Sequence, residues 1–275
     1  MAATRKAEMQ ALDMKPRASK ARALWALVFF CLGCNANSPE TKFLLAEKLL
    51  EDKKYDAAIS EFQTIVDKAP YSALGLEAQL KVAQIQHLYL GRSQEAIDAY
   101  REYLKRVKDE SQRREVEKVL ADLQFHSFED YDQAIASYSR LVKENAPDRE
   151  EMIFRLGRSF FLKAKFDDSI RMFEYLKTEF PAGAFFWKAE LEIGNAMGAK
   201  GKCSDAIKQY DKVVANGPRD QKTLAIFAKA SCFEEQDELD SAYELFSSIQ
   251  NDYPAPSVVE LKMQKIKRRK ILRKR

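Results

Sequence analysis

A small residue returns six times along the chain, at Ala58, Ala96, Ala134, Ser169, Ala206 and Ala242, with steps of 38, 38, 35, 37 and 36 residues. Four residues after each stands an aromatic ring (Phe62, Tyr100, Tyr138, Phe173, Tyr210, Phe246). Seven after each stands a second bulky side chain (Ile65, Tyr103, Leu141, Leu176, Val213, Ile249). Offsets of four and seven share one face of an α-helix. Each copy is therefore an amphipathic helix, with a small residue where another helix comes close and a ring as its anchor. A period of this length is that of arrays of helical hairpins.

The punctuation agrees. Pro70, Pro181, Pro218 and Pro254 come twelve residues after the small residue and end that helix, since proline cannot continue it. Pro147 comes one place late, and the second copy has Lys108 instead. A further helical stretch precedes each copy, as in "EEMIFRLGRSFFLKAK" before Phe166. Gly157 and Gly194 sit twelve residues before Ser169 and Ala206, where a side chain would hold two helices apart, and Gly91 and Gly201 mark turns within hairpins. The pattern is identified as the tetratricopeptide repeat, although the first helices lack the usual Trp. The expected fold is all-α, a tetratricopeptide superhelix (α-solenoid) of about six hairpins over 39–255, with repeats at about 39–72, 77–110, 115–148, 150–183, 187–220 and 223–255.

Both ends of the array carry their own signals. Ser38-Pro39 reads as an N-cap followed by proline at the first helical position. Ser257 and Glu260 read as a capping box, with Val259, Met263 and Ile266 at helical spacing after it. Residues 256–275 are thus expected to form a capping helix over repeat six and a basic tail.

Upstream, "KARALWALVFFCLGC" sets Lys20 and Arg22 before an apolar run that is too short to span a bilayer. A basic flank, a short apolar core and a small residue at the exit describe a secretory signal. Gly33-Cys34 resembles the lipobox of bacterial lipoproteins, with Cys31 and Leu32 departing from its usual residues. The resemblance implies a signal peptide over 1–33, lipidation of Cys34, and a tether over 34–38. Asn35 is not the Asp associated with inner-membrane retention, so the expected location is the periplasmic face of the outer membrane. Translation could begin at Met1 or at Met14. A plain secretory signal or an uncleaved anchor is the alternative.

Composition excludes most chemistry. The chain of 275 residues has Lys+Arg 46 against Asp+Glu 42 and only two histidines, His87 and His126. These lie in different helices without Cys or acids at ligand spacing, so no metal is expected. His87 stands where a core aromatic is usual. "GAKGKCS" lacks the spacing of a phosphate loop, and no G-x-S-x-G elbow occurs. Acid pairs such as Glu234-Glu235 read as solvated helix faces. Neither an enzyme nor a cofactor is expected. Cys203 and Cys232 fall in helices that should pack antiparallel; a disulfide and two buried thiols remain equal alternatives.

What remains is binding. The family resemblance implies a groove lined by the first helices, at Phe43, Ile85, Tyr89, Leu123, Phe154, Arg158, Phe161, Leu191, Asn195 and Phe227. These positions suit an extended peptide or a helix, or else pack against neighbouring repeats. Leu191 stands where a Lys would pair with Asn195 to clamp a carboxylate, which disfavours a chaperone-tail adaptor. The tail bases Lys262, Lys265, Lys267, Arg268, Arg269, Lys270, Arg273, Lys274 and Arg275 suit anionic lipid or an acidic partner rather than nucleic acid if the chain is exported. "KFLLAEKLLEDKKYDAAISEFQTIVDKAP" and "YSALGLEAQLKVAQ", behind a lipobox-like Cys, resemble the BamD (YfiO) family of β-barrel assembly lipoproteins, which typically have five repeats. "FFWKAELEIGNAMGAKGKCSDAIKQYDKVV" resembles the YbgF/CpoB family, which coordinates envelope constriction with wall synthesis. The expectation is a non-enzymatic envelope scaffold that binds other proteins, BamD-like first and YbgF/CpoB-like second. If the signal is unused, a cytoplasmic adaptor takes their place.

Overall fold

The computed structural model describes residues 37–127 and 129–273; the expected signal segment, Cys34, and the last two bases, Lys274 and Arg275, lie outside them. Among the described residues there are thirteen α-helices and no strand. They are α1 (Pro39–Glu51), α2 (Tyr55–Lys68), α3 (Ala73–Gln84), α4 (Ser93–Leu104), α5 (Glu110–His126), α6 (Tyr131–Leu141) and α7 (Arg149–Leu162). After them come α8 (Phe166–Glu179), α9 (Phe186–Ala199), α10 (Cys203–Asn216), α11 (Arg219–Glu235), α12 (Leu239–Ser248) and α13 (Pro256–Arg273). Contacts divide the chain into two compact units, 1–123 and 124–275, with the division inside α5. Within each unit the helices pack on their sequence neighbours, and α1 on α3, α7 on α9 and α9 on α11 pack across one hairpin. No described helix is long and apolar enough to cross a membrane.

The six small residues of the second helices are fully buried, and so are the rings four places on. In unit 1, Phe62, Ile65, Tyr100 and Tyr103 build one apolar cluster with Ala46 and Ala83 of the first helices. In unit 2 the small partner is glycine twice. A methyl on Gly157 would stand 2.6 Å from Phe173 Cε1, and one on Gly194 would stand 2.5 Å from Tyr210 Cε1. Backbone and ring are in direct contact there, which is why no side chain is tolerated.

Each hairpin turns in the same way. Five residues before the small residue one residue has positive φ: Lys53 (61°), Gly91 (64°), Glu129 (50°), Ala164 (57°), Gly201 (74°) and Asp237 (66°). The left-handed residue ends the first helix, and the next N–H returns to it, as Lys54 N does to Leu49 O (2.8 Å) and Lys165 N to Phe160 O (2.9 Å). Only two of the six are glycine, so four turns hold a side chain in a conformation that disfavours it.

Two hairpins carry one extra residue. The buried small residues of the first helices are Ala46, Ala83, Ala121, Gly157, Gly194 and Ala230. They precede their partners by twelve residues, except Ala83 and Ala121, which precede theirs by thirteen. In hairpin two the surplus is taken up by a π-turn, Ile85–Tyr89. Arg92 N accordingly bonds Gln86 O (2.8 Å) and Asp130 N bonds Gln124 O (3.0 Å), six residues back instead of five. His87, inside the π-turn, sets its ring edge-on to Tyr100 (6.3 Å), and His126 lies beside Phe125 (4.7 Å).

At the start of the array Ser38 Oγ accepts from Thr41 N (3.2 Å), with Pro39 at the first helical position. At the other end the capping box does not form. Pro256, which has no N–H to satisfy, opens α13, so Ser257 falls inside the first turn. Val259, Met263 and Ile266 of α13 bury against Phe246 and Ala230.

Candidate protein-interaction surface

The inserted residue decides which side chains the first helices offer. In hairpins four and five, Arg158 and Asn195 come directly after the glycines Gly157 and Gly194, on the half-exposed side. In hairpins two and three the equivalent places, after Ala83 and Ala121, are Gln84 and Asp122, both half-buried. Ile85 and Leu123 are one position further on and turn inward; Ile85 is 1% exposed. The sequence expectation that they line a groove is corrected by this one-residue shift. Phe43 and Leu191 also belong to the core, Phe43 edge-on to Phe62 at 5.2 Å and Leu191 in a cluster with Cys203 and Tyr210. In unit 1 only Tyr89 of the expected residues is exposed (50%), stacked on Tyr55 at 5.1 Å. Glu47 of α1 pairs with Lys81 of α3 at 3.1 Å.

Unit 2 keeps more of the expected surface. Phe154, Arg158, Phe161, Asn195 and Phe227 are half-buried. Phe154 joins a run of rings, 5.5 Å from Phe173 and 5.0 Å from Phe185, and Phe161 meets Phe166 at 5.5 Å. Phe227 stacks on Tyr253 at 4.5 Å. Arg158 bonds Glu192 at 2.7 Å; Glu192 accepts from Asn195 Nδ2 at 3.2 Å; and Asn195 Oδ1 accepts from Tyr210 Oη at 3.1 Å. This network joins hairpins four and five and engages both the nitrogen and the oxygen of the Asn195 amide. A carboxylate arriving there would meet the Glu192 carboxylate, which already holds Arg158 and Asn195, whereas the flanking rings can take an apolar side chain without breaking a bond.

A second feature was not legible in the sequence. In unit 2, Lys177, eight residues after Ser169, reaches Glu190 (2.8 Å) and Glu174 (3.0 Å), and Gln209 also bonds Glu190. In unit 1 the matching places hold the shorter Val66 and Ala99, and a cleft of about 700 Å³ opens between α2, α3 and α4. Gln79 spans its floor, bonding Ala99 O at 3.1 Å, and Gln86 Oε1 is buried beside it with no hydrogen-bond partner. A ligand entering the cleft with an N–H or O–H would meet a ready acceptor. Comparing the repeats position by position could have found the two missing side chains.

The basic helix is largely committed to the protein itself. Glu234, expected on a solvated face, has a side chain only 6% exposed, because α13 lies over it. Lys262 bonds it at 2.7 Å, and Lys265 and Arg269 stand at 3.4 and 3.6 Å. Burial alone would raise the Glu234 carboxyl, but the Lys262 bond and the Lys262 and Lys265 charges outweigh it and hold the pKa below the usual value. Arg269 and Arg273 also reach Asp237, and Lys270 reaches Asp240. Lys267 lies over the Tyr243 ring at 5.4 Å, and Arg268 faces solvent together with Leu261, Ile271 and Leu272.

Comparison with known proteins gives the same architecture. Two family models, both described as tetratricopeptide repeat, match residues 127–184, and residues 77–109 with 224–255. No curated protein sequence matches the chain. Among solved structures it is similar to PilW, a type IV pilus biogenesis factor, at 16% identity over 83% of this chain and 97% of that one, TM-score 0.51. It is also similar to PilF of Pseudomonas aeruginosa (16%, 84% and 97%, 0.50) and to YrrB, a tetratricopeptide protein with an unusual peptide-binding site (17%, 71% and 93%, 0.52). Likeness at this identity concerns the fold alone. With hairpins built on one repeated packing rule and family models matching three separate segments, the chain carries tetratricopeptide repeats and is an all-α scaffold of the protein-interaction type.

Proposed function

We propose that this scaffold is lipid-anchored through Cys34 at the periplasmic face of the bacterial outer membrane and serves, like BamD, in the assembly of β-barrel proteins. The observation that carries the reading is the start of α1. Ser38 caps that helix, so four residues, 35–38, separate Cys34 from the folded array. At about 3.5 Å per residue they reach at most roughly 14 Å. An acylated Cys34 would hold unit 1 against the leaflet, where it can serve a membrane-embedded machine but cannot reach far toward the wall. The half-exposed rings of unit 2 offer apolar side-chain sites for a partner segment, and the Glu192 carboxylate beside Asn195 argues against a carboxylate clamp. No catalytic group is required for this role.

Depletion in the native host tests it. The expected result is a fall in folded outer-membrane barrels before any division defect, with the same phenotype from Cys34→Ser and from a flexible insert after Asn35. Normal barrel levels with an early constriction defect would transfer the scaffold to wall coordination. Wild-type protein found wholly in the cytosol would end both envelope readings.

A further inference from the structure

Cys203 opens α10 and Cys232 lies in the last turns of α11. Both are buried free thiols, and they belong to one packed cluster with Leu191 and Tyr210. Cys203 Sγ also donates to a Glu235 carboxylate oxygen at 3.2 Å. Cys232 faces α9, its sulfur 3.8 Å from where a methyl on Gly198 would stand. On the other side Cys203 borders a surface cleft of about 370 Å³, walled by Lys202, Ser204, Glu235 and Gln236. Both residues are almost equally covered, but Cys203 lines the cleft and Cys232 does not.

We propose that Cys203 and Cys232 form a redox site, which a small disulfide oxidant entering this cleft closes into an intrachain bond between repeats five and six. The order follows from access. Cys203 loses its proton to solvent base, and its thiolate attacks one sulfur of the oxidant. The oxidant's S–S bond breaks, and its other half leaves as a thiolate that takes up a proton. Cys232 then gives up its proton and attacks Cys203 Sγ, expelling the second half as a thiol. Two protein thiols are oxidised by two electrons, and one disulfide is reduced to two thiols. Burial, with the neighbouring Cys232 and Glu235, pushes the Cys203 thiol up to about 12, so the thiolate is scarce at neutral pH. The reaction is slow there and accelerates about tenfold per pH unit below that value. The product joins α10 to α11 across a loop of about 30 residues and stabilises unit 2 by constraining its unfolded state.

This inference does not depend on the anchored reading, because it is tested in solution. The full chain carrying Cys31→Ser and Cys34→Ser keeps only the two thiols of interest. After reduction it is incubated with oxidised glutathione from pH 7 to 9. The expected product has lost two hydrogens, retains no glutathione, and melts about 5–10 °C higher, an increase that dithiothreitol reverses. Added Cys232→Ser should stop at a glutathione adduct on Cys203, and added Cys203→Ser should stay unmodified. A doubly reactive chain that halts at the adduct would overturn the closure step. Thiols inert at pH 9 in the folded chain, yet oxidised once it is unfolded in urea, would overturn the site. An adduct on Cys232 in the Cys203→Ser variant would overturn the assigned point of entry.

Discussion

Gly194 and Gly198 lie one turn apart on α9, and the same substitution should act on them with opposite sign. A methyl at Gly194 would meet Tyr210 at 2.5 Å (Cε1) and 2.8 Å (Cδ1), inside any tolerable carbon contact. Tyr210 cannot readily yield, being buried and tied through its hydroxyl to Asn195 at 3.1 Å. At Gly198 the nearest atoms are Tyr210 Oη at 3.5 Å, Cys232 Sγ at 3.8 Å and Ala206 Cβ at 3.9 Å, which are ordinary contacts. Alanine in place of glycine gains about 0.8–1.0 kcal/mol in a helix interior, somewhat less in a last turn. Overpacking costs about 1–3 kcal/mol. Gly198→Ala is therefore expected to stabilise by about 0.5–1 kcal/mol, and Gly194→Ala to destabilise by roughly 1 kcal/mol. The propensity gain is shared, so the difference between the variants isolates the clash at about 1–3 kcal/mol. Urea unfolding followed by circular dichroism measures it, provided both variants keep the wild-type slope. A Gly194→Ala midpoint at or above wild type would refute the close approach of α9 and α10. So would two midpoints that coincide.

The remaining predictions concern the latch, the array and the groove. Glu234 has its pKa lowered in the folded state, so its contribution is present above the unfolded value near 4.5 and is lost as pH falls through the lower folded value. Amide exchange, corrected for its intrinsic pH dependence, should therefore show α13 losing protection below about pH 4.5, and Glu234→Gln should show the loss already at neutral pH; protection in that variant equal to wild type would dismiss the latch. Ala134→Leu, at a fully buried site in α6, should cost about 1–3 kcal/mol, and an unchanged melting profile would mean the repeat register is misassigned. Phe154→Ala with Phe161→Ala should reduce cross-linking to envelope partners while keeping wild-type helicity, whereas unfolding would make both rings core residues.

The hairpin architecture was legible because its signal is local. A small residue, a ring four places on and a bulky group seven places on must share a helical face whatever surrounds them, and six copies in phase leave no other fold. The turns were legible only at Gly91 and Gly201. Lys53, Glu129, Ala164 and Asp237 adopt the same left-handed conformation without the residue type that announces it, because the two packed helices impose it. The family resemblance placed Ile85 and Leu123 in the groove, and the inserted residue turns both into the core. Whether such a residue becomes a π-turn or lengthens a loop depends on the neighbouring helices, which local periodicity does not encode. Glu234 read as solvated because the helix that covers it begins more than twenty residues later, at Pro256. That Cys203 and Cys232 share one buried cluster likewise depends on how α10 and α11 pack. Sequence determined which face of each helix is apolar; tertiary structure decided which polar groups those faces enclose, since burial belongs to pairs of elements and not to either alone.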